Sequence, residues 1–457
     1  MTETDFKSLP LPESMLHNLR ELGFASMTPV QAESLPSILE NKDVIAQAKT
    51  GSGKTAAFGI GLLTKLKVKK FKVQALVLCP TRELADQVAK ELRRLARFTH
   101  NIKILTLSGG VAFGPQLGSL RHGAHIIVGT PGRVQKHLDK HSLSLEDLET
   151  LVLDEADRML DMGFIEAIDE VISFTPKDRQ TLLFSATFPD EIRSLSESVQ
   201  TDAINIQTIS HDNVNKITEY FFETPASEKL KTLINVLSTH KKANAIVFCN
   251  TKIECAEVSD ALYGRGIDAR AIHGDLEQYE RNDVFVQFAN HSCTVLVATD
   301  VAARGLDIKE LGMVINFDLP HDESTYTHRI GRTGRAGEEG VAVTMYEPSN
   351  TRLADEYKNS TRIFDTYESL RVDKSFKMEA TNATLVIEGG KKEKVRAGDL
   401  LGALTGDAGI EGKYVGKIDI YERQSYVAIH RDHIKDAHDR LKKGKIKGKK
   451  FSVWILD

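Results

Sequence analysis

The sequence predicts two parallel-sheet α/β lobes in tandem, followed by a small α+β domain. Three observations predict it. An apolar run, a glycine-rich loop and an apolar helical stretch stand together around Ala48–Thr55, AKTGSGKT. Short apolar runs alternate with helical stretches from 42 to 205, and again from 218 to about 365. Such runs, buried on both faces and separated by helices, indicate parallel sheets covered on both sides. The last stretch, 382–457, reads as strand, helix, strand, strand, helix, strand. That order is the ferredoxin-like arrangement used by RNA-recognition domains.

Val44-Ile45-Ala46 suits a buried strand and Ala56–Leu66 a buried helix. A strand feeding a glycine turn and then a helix points backbone N–H groups at an anion. Gly51 and Gly53 allow the turn. Lys54 is placed to reach the outer phosphates, and the Thr55 hydroxyl to ligate Mg²⁺. Ala48 stands where the usual first glycine of this pattern would be, and a Gly-Lys-rich surface loop is the competing reading of the segment alone.

With 457 residues the chain has room for about three domains. Its 41% hydrophobic and 27% charged residues are those of an ordinary globular protein. No apolar run approaches the ~20 residues of a membrane span, and the first residues, MTETDFKSLP, lack a charged-then-apolar signal. The cysteines Cys79, Cys249, Cys255 and Cys293 are scattered without a C-x-x-C pair, as reduced core thiols would be, so a cytoplasmic location and a monomer are expected. The net charge of −4 divides unevenly. Residues 380–457 hold 16 Lys and Arg against 11 Asp and Glu, so +5, leaving −9 on the rest. A basic tail on an acidic body suits a polyanion; a solvated charged face is the alternative.

In chain order, residues 1–40 carry turns and short amphipathic helices, with Phe6 and Phe24 readable as core packing. The first lobe runs over 1–207, its strands expected at Asp43–Ala46, Ala75–Cys79, Ile102–Leu107, His125–Val128, Thr150–Leu153 and Thr181–Phe184. Polar clusters come directly after them: Pro80-Thr81-Arg82-Glu83, Thr130-Pro131-Gly132-Arg133, Asp154-Glu155-Ala156-Asp157 and Ser185-Ala186-Thr187. Ligands of such folds bind outside the carboxyl ends of the strands. Residues 208–217 read as a linker. The second lobe, 218–365, has strands expected at Ala245–Cys249, Ala269–Ile272, Thr294–Ala298, Met313–Phe317 and Ala342–Tyr346. It lacks a phosphate loop but has His328–Arg335, HRIGRTGR. Residues 366–381 read as a second linker. The last domain, 382–457, has strands expected at Thr384–Ile387, Gly416–Tyr421, Tyr426–His430 and Phe451–Leu456, with helices at Ala397–Leu404 and Ile434–Lys443.

Asp154-Glu155 after an apolar strand suits Mg²⁺ ligation by Asp154 and polarisation of the attacking water by Glu155. Arg332 and Arg335, three apart, would share a helix face and reach charge on the γ-phosphate as fingers.

The ordered set GFASMTPVQ, AKTGSGKT, PTREL, Gly109-Gly110, TPGR, DEAD, SAT, VFCNT, ATDVAARGLD and HRIGRTGRAG resembles the DEAD-box RNA helicases over residues 1 to about 370. The resemblance implies two RecA-like lobes, ATP and Mg²⁺ as cofactors, and RNA as partner. It implies adenine reading by Gln31 with Phe24 and Phe6. The triphosphate would lie on Ala48, Lys49, Thr50, Gly51, Ser52, Gly53, Lys54 and Thr55, with contacts from Gly305 and Asp307 of the second lobe. Lys54, Asp154, Glu155, Arg332 and Arg335 would be the catalytic residues, and Ser185 and Thr187 would couple hydrolysis to RNA. The RNA groove would be lined by Pro80, Thr81, Arg82, Gly110, Thr130, Pro131, Arg133, Thr299, Asp300 and Arg304. Such contacts address phosphate and sugar, so the groove should be indifferent to sequence.

Residues 382–457 resemble the RRM-like RNA-binding domain of one bacterial group of these helicases, through Gly389-Gly390-Lys391-Lys392, Arg396-Ala397-Gly398-Asp399, Gly402-Ala403-Leu404, Gly416-Lys417-Ile418 and Gly444–Lys449. That resemblance implies a hairpin of 23S ribosomal RNA as target, during assembly of the large ribosomal subunit. The first strand has no aromatic and the third offers only Tyr426. RNA contacts are therefore expected from Lys391, Lys392, Arg396, Lys417, Lys445, Lys447 and Lys449 rather than from stacking on the sheet. The expected activity is local unwinding of short RNA duplexes; the alternatives are an ATP-timed RNA-binding assembly factor with little strand separation and, more weakly, a DNA helicase.

Overall fold

The computed structural model describes residues 4–48, 51–208, 217–303, 311–334, 339–373, 375–406 and 409–456. In the first unit, β1 (Val44–Gln47), β2 (Ala75–Leu78), β3 (Ile104–Leu107), β4 (Ile126–Gly129), β5 (Thr150–Asp154), β6 (Gln180–Ser185) and β7 (Ile204–Gln207) form one sheet. Its order is β3-β4-β2-β5-β6-β1-β7, with every neighbour parallel. β2 and β4 are buried at every residue because helices cover both faces. Phe58, Leu92 and Phe184 pack on one side, and Leu138, Ile168 and Ile192 on the other.

The order sorts the strands into two groups according to the loops they feed. β5, β6 and β1 are adjacent and lead into the DEAD residues, Ser185-Ala186-Thr187 and the phosphate loop. β3, β4 and β2 are adjacent and lead into Gly109-Gly110, Thr130–Arg133 and Pro80–Arg82. One sheet therefore carries two separate sets of loops along its carboxyl edge.

The second unit holds β8 (Ile217–Glu223), β9 (Ala245–Phe248), β10 (Ala269–Ile272), β11 (Val295–Ala298), β12 (Met313–Asn316), β13 (Gly340–Tyr346) and β14 (Ile363–Thr366). They form a parallel sheet in the order β10-β11-β9-β12-β13-β8-β14. Three of the described strands, β7, β8 and β14, fall outside the strands expected from sequence. Only Ile206 of β7 is buried, which is too thin a pattern to read. β8 carries acidic residues whose charge is answered only in the fold: Glu219 accepts from Tyr326 Oη at 2.6 Å and Arg362 Nε at 2.7 Å. β14 lies beside it, Phe364 stacking on Phe221 with centroids 4.6 Å apart.

The linker expected at 208–217 lies, but for its first and last residues, outside the described residues. The stretch expected as a second linker, 366–381, is packed rather than free. Leu370, Phe376 and Met378 lie against the core of the second sheet, and Met378 O accepts from Asp268 N and Thr294 Oγ1.

The last domain is antiparallel, with β15 (Asn382–Ile387), β16 (Val415–Ile420), β17 (Ser425–His430) and β18 (Val453–Leu456) in the order β16-β17-β15-β18. The helices Ala397–Thr405 and Ile434–Lys443 cover one face over Leu385, Ile387, Leu400, Leu404, Val427 and Leu441. The opposite face is seated on the helix Gln278–Ala289 of the second lobe. Val386 and Tyr426 pack with Val286. Tyr426 Oη donates to Asp283 at 2.7 Å, Asn290 Nδ2 to Thr384 Oγ1 at 2.9 Å, and Arg431 to Asp268 at 2.7 Å.

Candidate active site

Ala48, 2% exposed, ends β1 with its N–H donating to Ser185 O of the neighbouring β6. The loop then turns through Gly51 (φ +84°) and Gly53 (φ +95°) into the helix Lys54–Lys65. Gly53 is required twice. Its φ lies in the left-handed region, and a Cβ there would stand 2.5 Å from Gln31 Nε2. Gln31 is buried; its Nε2 donates to Gly53 O at 3.1 Å and its Oε1 accepts from Thr28 N at 3.0 Å. One donor and one acceptor of the amide remain. Phe6 is buried and meets the half-buried Phe24 edge-on, centroids 6.3 Å apart. Lys49 and Thr50 lie outside the described residues; Thr55 is half-buried in the first helical turn.

Around this loop are buried polar atoms with no partner among the described residues: Ser52 Oγ, Lys54 Nζ and Asp154 Oδ1. Each is costly to leave unmade unless a ligand completes it. Burial pushes the Asp154 carboxyl up to about 7, against the pull of Lys54 and with the push of Glu155. A cationic lysine, a hydroxyl and a carboxylate awaiting a counter-charge fit a triphosphate with its divalent cation. Among the described residues no group of three His, Cys, Asp or Glu forms a cage for a metal by itself. Glu155 comes next at 9% exposure with φ +53°, ψ +53°, a conformation costing roughly 1–3 kcal/mol for a residue with a Cβ.

Sequence alone places Ser185 and Thr187 but misses their partner. Asp157 Oδ2 accepts from Ala186 N (3.2 Å), Thr187 N (3.0 Å) and Thr187 Oγ1 (2.9 Å). Ser185 Oγ donates to Thr187 O at 2.7 Å. The turn after β6 is thus pinned to the helix that begins two residues after Asp154.

In the second lobe the helix Glu323–Ile330 ends at Gly331. The helix ends short of Arg332, which stands in the turn beyond the cap, so the face expected for it is absent there; Arg335 lies outside the described residues, as do Arg304, Gly305 and Asp307. Arg329, the first of the three evenly spaced arginines of HRIGRTGR and given no role from sequence, is 2% exposed. It forms a two-point bridge to Asp300, Nε to Oδ1 at 2.8 Å and NH2 to Oδ2 at 2.7 Å. Asp300, expected in the RNA groove, therefore has both oxygens engaged by Arg329. Thr299, half-buried, precedes it at the end of β11.

Residues 28–195 match the DEAD/DEAH box helicase family, 228–337 the helicase conserved C-terminal domain, and 384–455 the DbpA RNA binding domain. The chain is 53% identical to the ATP-dependent RNA helicase DbpA of Escherichia coli (strain K12) over 447 residues, 98% of each chain. The chain belongs to the DEAD-box RNA helicases. It is also 43% identical, over 81% of its length and 71% of the relative's, to the DEAD-box ATP-dependent RNA helicase CshA of Bacillus cereus. Among solved structures it resembles S. cerevisiae Dbp5 bound to RNA and ADP BeF3, with TM-score 0.72 and 31% identity over 80% of this chain and 96% of that one.

The remaining residues expected on RNA divide by place. In this DEAD-box helicase, Pro80, Thr81 and Arg82 open the helix Arg82–Leu95, where Thr81 Oγ1 caps Leu84 N at 3.2 Å. Gly110 (φ +69°) turns the loop after β3. Thr130 and Pro131 open the helix Pro131–Asp139, and Arg133 lies in its first turn. In the last domain the helices Ala397–Thr405 and Ile434–Lys443 flank a cleft of about 670 Å³ lined by Asp399, Arg440, Lys443, Lys445 and Lys447 with the glycines 398, 402, 406 and 444. Lys391, Lys392, Arg396, Lys417 and Lys449 do not line it. Lys417 instead stands on β16, 3.1 Å from Asp419. Arg440 is not singled out by sequence because it lies inside a helix, away from the glycine-lysine run; Lys443 ends that helix beside Gly444, within the lysine run 442–450. No described helix is long and apolar enough to cross a membrane.

His137, on the helix that carries Arg133, is fully buried; burial, and then Arg133, holds its imidazole down at about 4. An unfolded chain takes up that proton near pH 6.5. Its contribution is therefore intact above pH 6.5 and is lost as pH falls toward 4, by at most about 1.4 kcal/mol per unit. In amide hydrogen exchange of the first-lobe strands, corrected for the intrinsic pH dependence of exchange, the protection gap between wild type and His137→Asn should narrow from pH 7 to pH 4. A gap constant with pH would refute the assignment.

Proposed function

We propose that this ATP-dependent RNA helicase opens short RNA duplexes locally and is brought to a hairpin of 23S ribosomal RNA by residues 382–457, during assembly of the large ribosomal subunit in the cytoplasm, as a monomer. The observation that carries the targeting is the basic cleft on the helical side of the last domain. The opposite sheet face is covered by the second lobe, and Tyr426 is 3% exposed there. Bases cannot stack on that face while it is seated. The cleft offers cationic side chains and exposed glycine backbone, which suit a folded RNA backbone. The hairpin itself is named by the resemblance of the Gly-Lys and Arg-Ala-Gly-Asp segments.

In the first lobe, Lys54 and the loop Ala48–Thr55 would hold the triphosphate. Thr55 and Asp154 would hold Mg²⁺, which supplies charge neutralisation at the phosphates when bound. Glu155 would accept a proton from the attacking water, and Gln31 would use its remaining donor and acceptor on adenine, beside Phe24 and Phe6. Arg332 and Arg335, with Gly305 and Asp307, would complete the site from the second lobe. Asp157, through Ser185-Ala186-Thr187, would carry the state of the γ-phosphate toward the RNA loops. ATP and RNA then favour one another by linkage.

Removing the last domain would also expose Val286, so charge reversal in the full chain is the cleaner test. Lys443→Glu, Lys445→Glu and Lys447→Glu together should raise, about tenfold or more, the concentration of a 23S hairpin fragment needed for half-maximal ATPase stimulation. The salt dependence of its binding should become shallower by about 2 in log–log slope, three phosphate contacts being lost. Stimulation by unstructured RNA should be unchanged. A preference for the hairpin fragment that survives all three reversals would sink the targeting.

A further inference from the structure

Some arginines of this protein are held by carboxylates, Arg329 by Asp300, Arg362 by Glu219 and Arg431 by Asp268; others, such as Arg179 and Arg270, donate to neutral oxygens. Arg133 is of the second kind. Its NH1 donates to Val111 O at 2.9 Å and to Gln116 Oε1 at 2.8 Å. Among the described residues no carboxylate pairs with it. Both NH1 hydrogens are therefore spent on neutral acceptors, and the full positive charge, with the Nε and NH2 donors, is left over.

Gln116 is buried and is fixed at both ends of its amide. Its Nε2 donates to Ser108 O at 3.1 Å, in the loop after β3. Its Oε1 also lies 3.1 Å from His137 Nε2. Two donors on one carbonyl oxygen fill its two lone pairs when the imidazole carries a proton on Nε2; Nδ1 lies 2.8 Å from Ser142 Oγ, whose hydroxyl donates to His137 O at 2.9 Å. Phe113 closes the arrangement from below, stacked on His137 with centroids 4.1 Å apart and 5.9 Å under the Arg133 guanidinium. One glutamine thus ties the loop that contains Gly109-Gly110 to the first turn of the helix that carries Arg133.

We infer that Gln116 is a positioning residue for RNA: a neutral clamp that orders Arg133 without cancelling its charge, so that the guanidinium is presented to a phosphate of the RNA strand. A free arginine side chain carries about 2 kcal/mol of rotamer entropy, and a carboxylate clamp would remove that cost together with the charge the phosphate needs. The inference rests on Arg133 facing RNA, as the resemblance to the DEAD-box helicases implies. It explains why an amide rather than a carboxylate stands at 116.

The test uses the full chain, a fluorescent 20-nucleotide oligouridylate and a non-hydrolysable ATP analogue, with binding followed by anisotropy across a salt series. Arg133→Gln, Gln116→Met and Gln116→Glu should each weaken binding about tenfold, the loss of one charge-assisted hydrogen bond, and flatten the salt slope by about 0.7. Gln116→Glu is decisive against a merely structural role, since it keeps the acceptor for Arg133 yet neutralises it. The double variant Gln116→Met/Arg133→Gln should bind no worse than Arg133→Gln alone. Should Gln116→Met fail to fold, Gln116→Asn, which withdraws the acceptor by one methylene, replaces it. Additive losses in the double variant, or wild-type binding by Gln116→Glu while Arg133→Gln binds weakly, would overturn the clamp and leave Arg133 on RNA. Wild-type binding by Arg133→Gln would overturn both.

Discussion

Glu155→Gln is expected to leave ATP and RNA binding within about twofold of wild type and to lower turnover by at least a hundredfold, about 2.7 kcal/mol of barrier. The side chain stands next to Asp154 at the end of β5, where the chain leaves the sheet for the helix Ala156–Asp161. The backbone is held at φ +53° by the sheet on one side and the helix on the other. Glutamine matches glutamate in shape and adopts the same φ, so the loop keeps its path. It cannot, however, take a proton from water. The groups that would bind the triphosphate, Lys54, Ser52 and Asp154, are untouched, and Asp154 loses a like-charged neighbour that pushes its carboxyl up. Binding of a fluorescent ATP analogue and single-turnover hydrolysis separate the two quantities. Undiminished single-turnover hydrolysis would remove Glu155 from the reaction; loss of nucleotide binding would make it a structural residue of the loop.

Chemistry packed into contiguous segments was legible in the sequence. Ala48–Thr55 and Asp154-Glu155 carry their meaning in spacing, and the sheet sets them at one carboxyl edge, on β1 and β5 with β6 between. Contacts made between distant segments were illegible. Asp157 reaches Thr187 across 30 residues, and Gln116 reaches Arg133 across 17; neither residue type at that position says so. β7 and β14 were missed because they lie at sheet edges and an edge buries little; β8, between β13 and β14, was missed because Glu219 meets its cation, Arg362, 143 residues on. The helix face expected for Arg332 and Arg335 overlooked Gly331, a natural stop, where the helix Glu323–Ile330 ends short of Arg332. The seating of the last domain on the helix Gln278–Ala289 has no local signature. Val286 and Asp283 read as ordinary helix residues until Val386 and Tyr426 meet them.

Arg329→Met is expected to cost the second lobe about 3–5 kcal/mol, the loss incurred when one partner of a buried ion pair is removed. All five guanidinium N–H groups are used. Asp300 takes two, Asn250 Oδ1 one at 3.1 Å, and Asn316 Oδ1 and Asp318 O one each at 3.2 Å. The guanidinium also lies 5.1 Å from the centre of the Phe248 ring. The side chain therefore ties the segments after β9, β11 and β12 to the helix Glu323–Ile330. Methionine fills the volume but takes the two-point bridge from Asp300 and a donor from each asparagine oxygen; Arg329→Lys keeps the charge but has three donors for five acceptors, and should lose less. A chain of several domains has no single unfolding midpoint, so the measurement is amide hydrogen exchange on the intact protein. Faster exchange is expected in β9, β11, β12 and the helix, with β2 and β4 of the first lobe unchanged as internal reference. Equal protection in both lobes would refute the role. Arg332 N donates to Arg329 O at 3.2 Å, a main-chain bond that the substitution keeps, but the helix end that bears it is anchored by the guanidinium. With Arg332 in the role proposed for it above, ATPase activity should fall in Arg329→Met even at temperatures where the lobe stays folded, and fall less in Arg329→Lys.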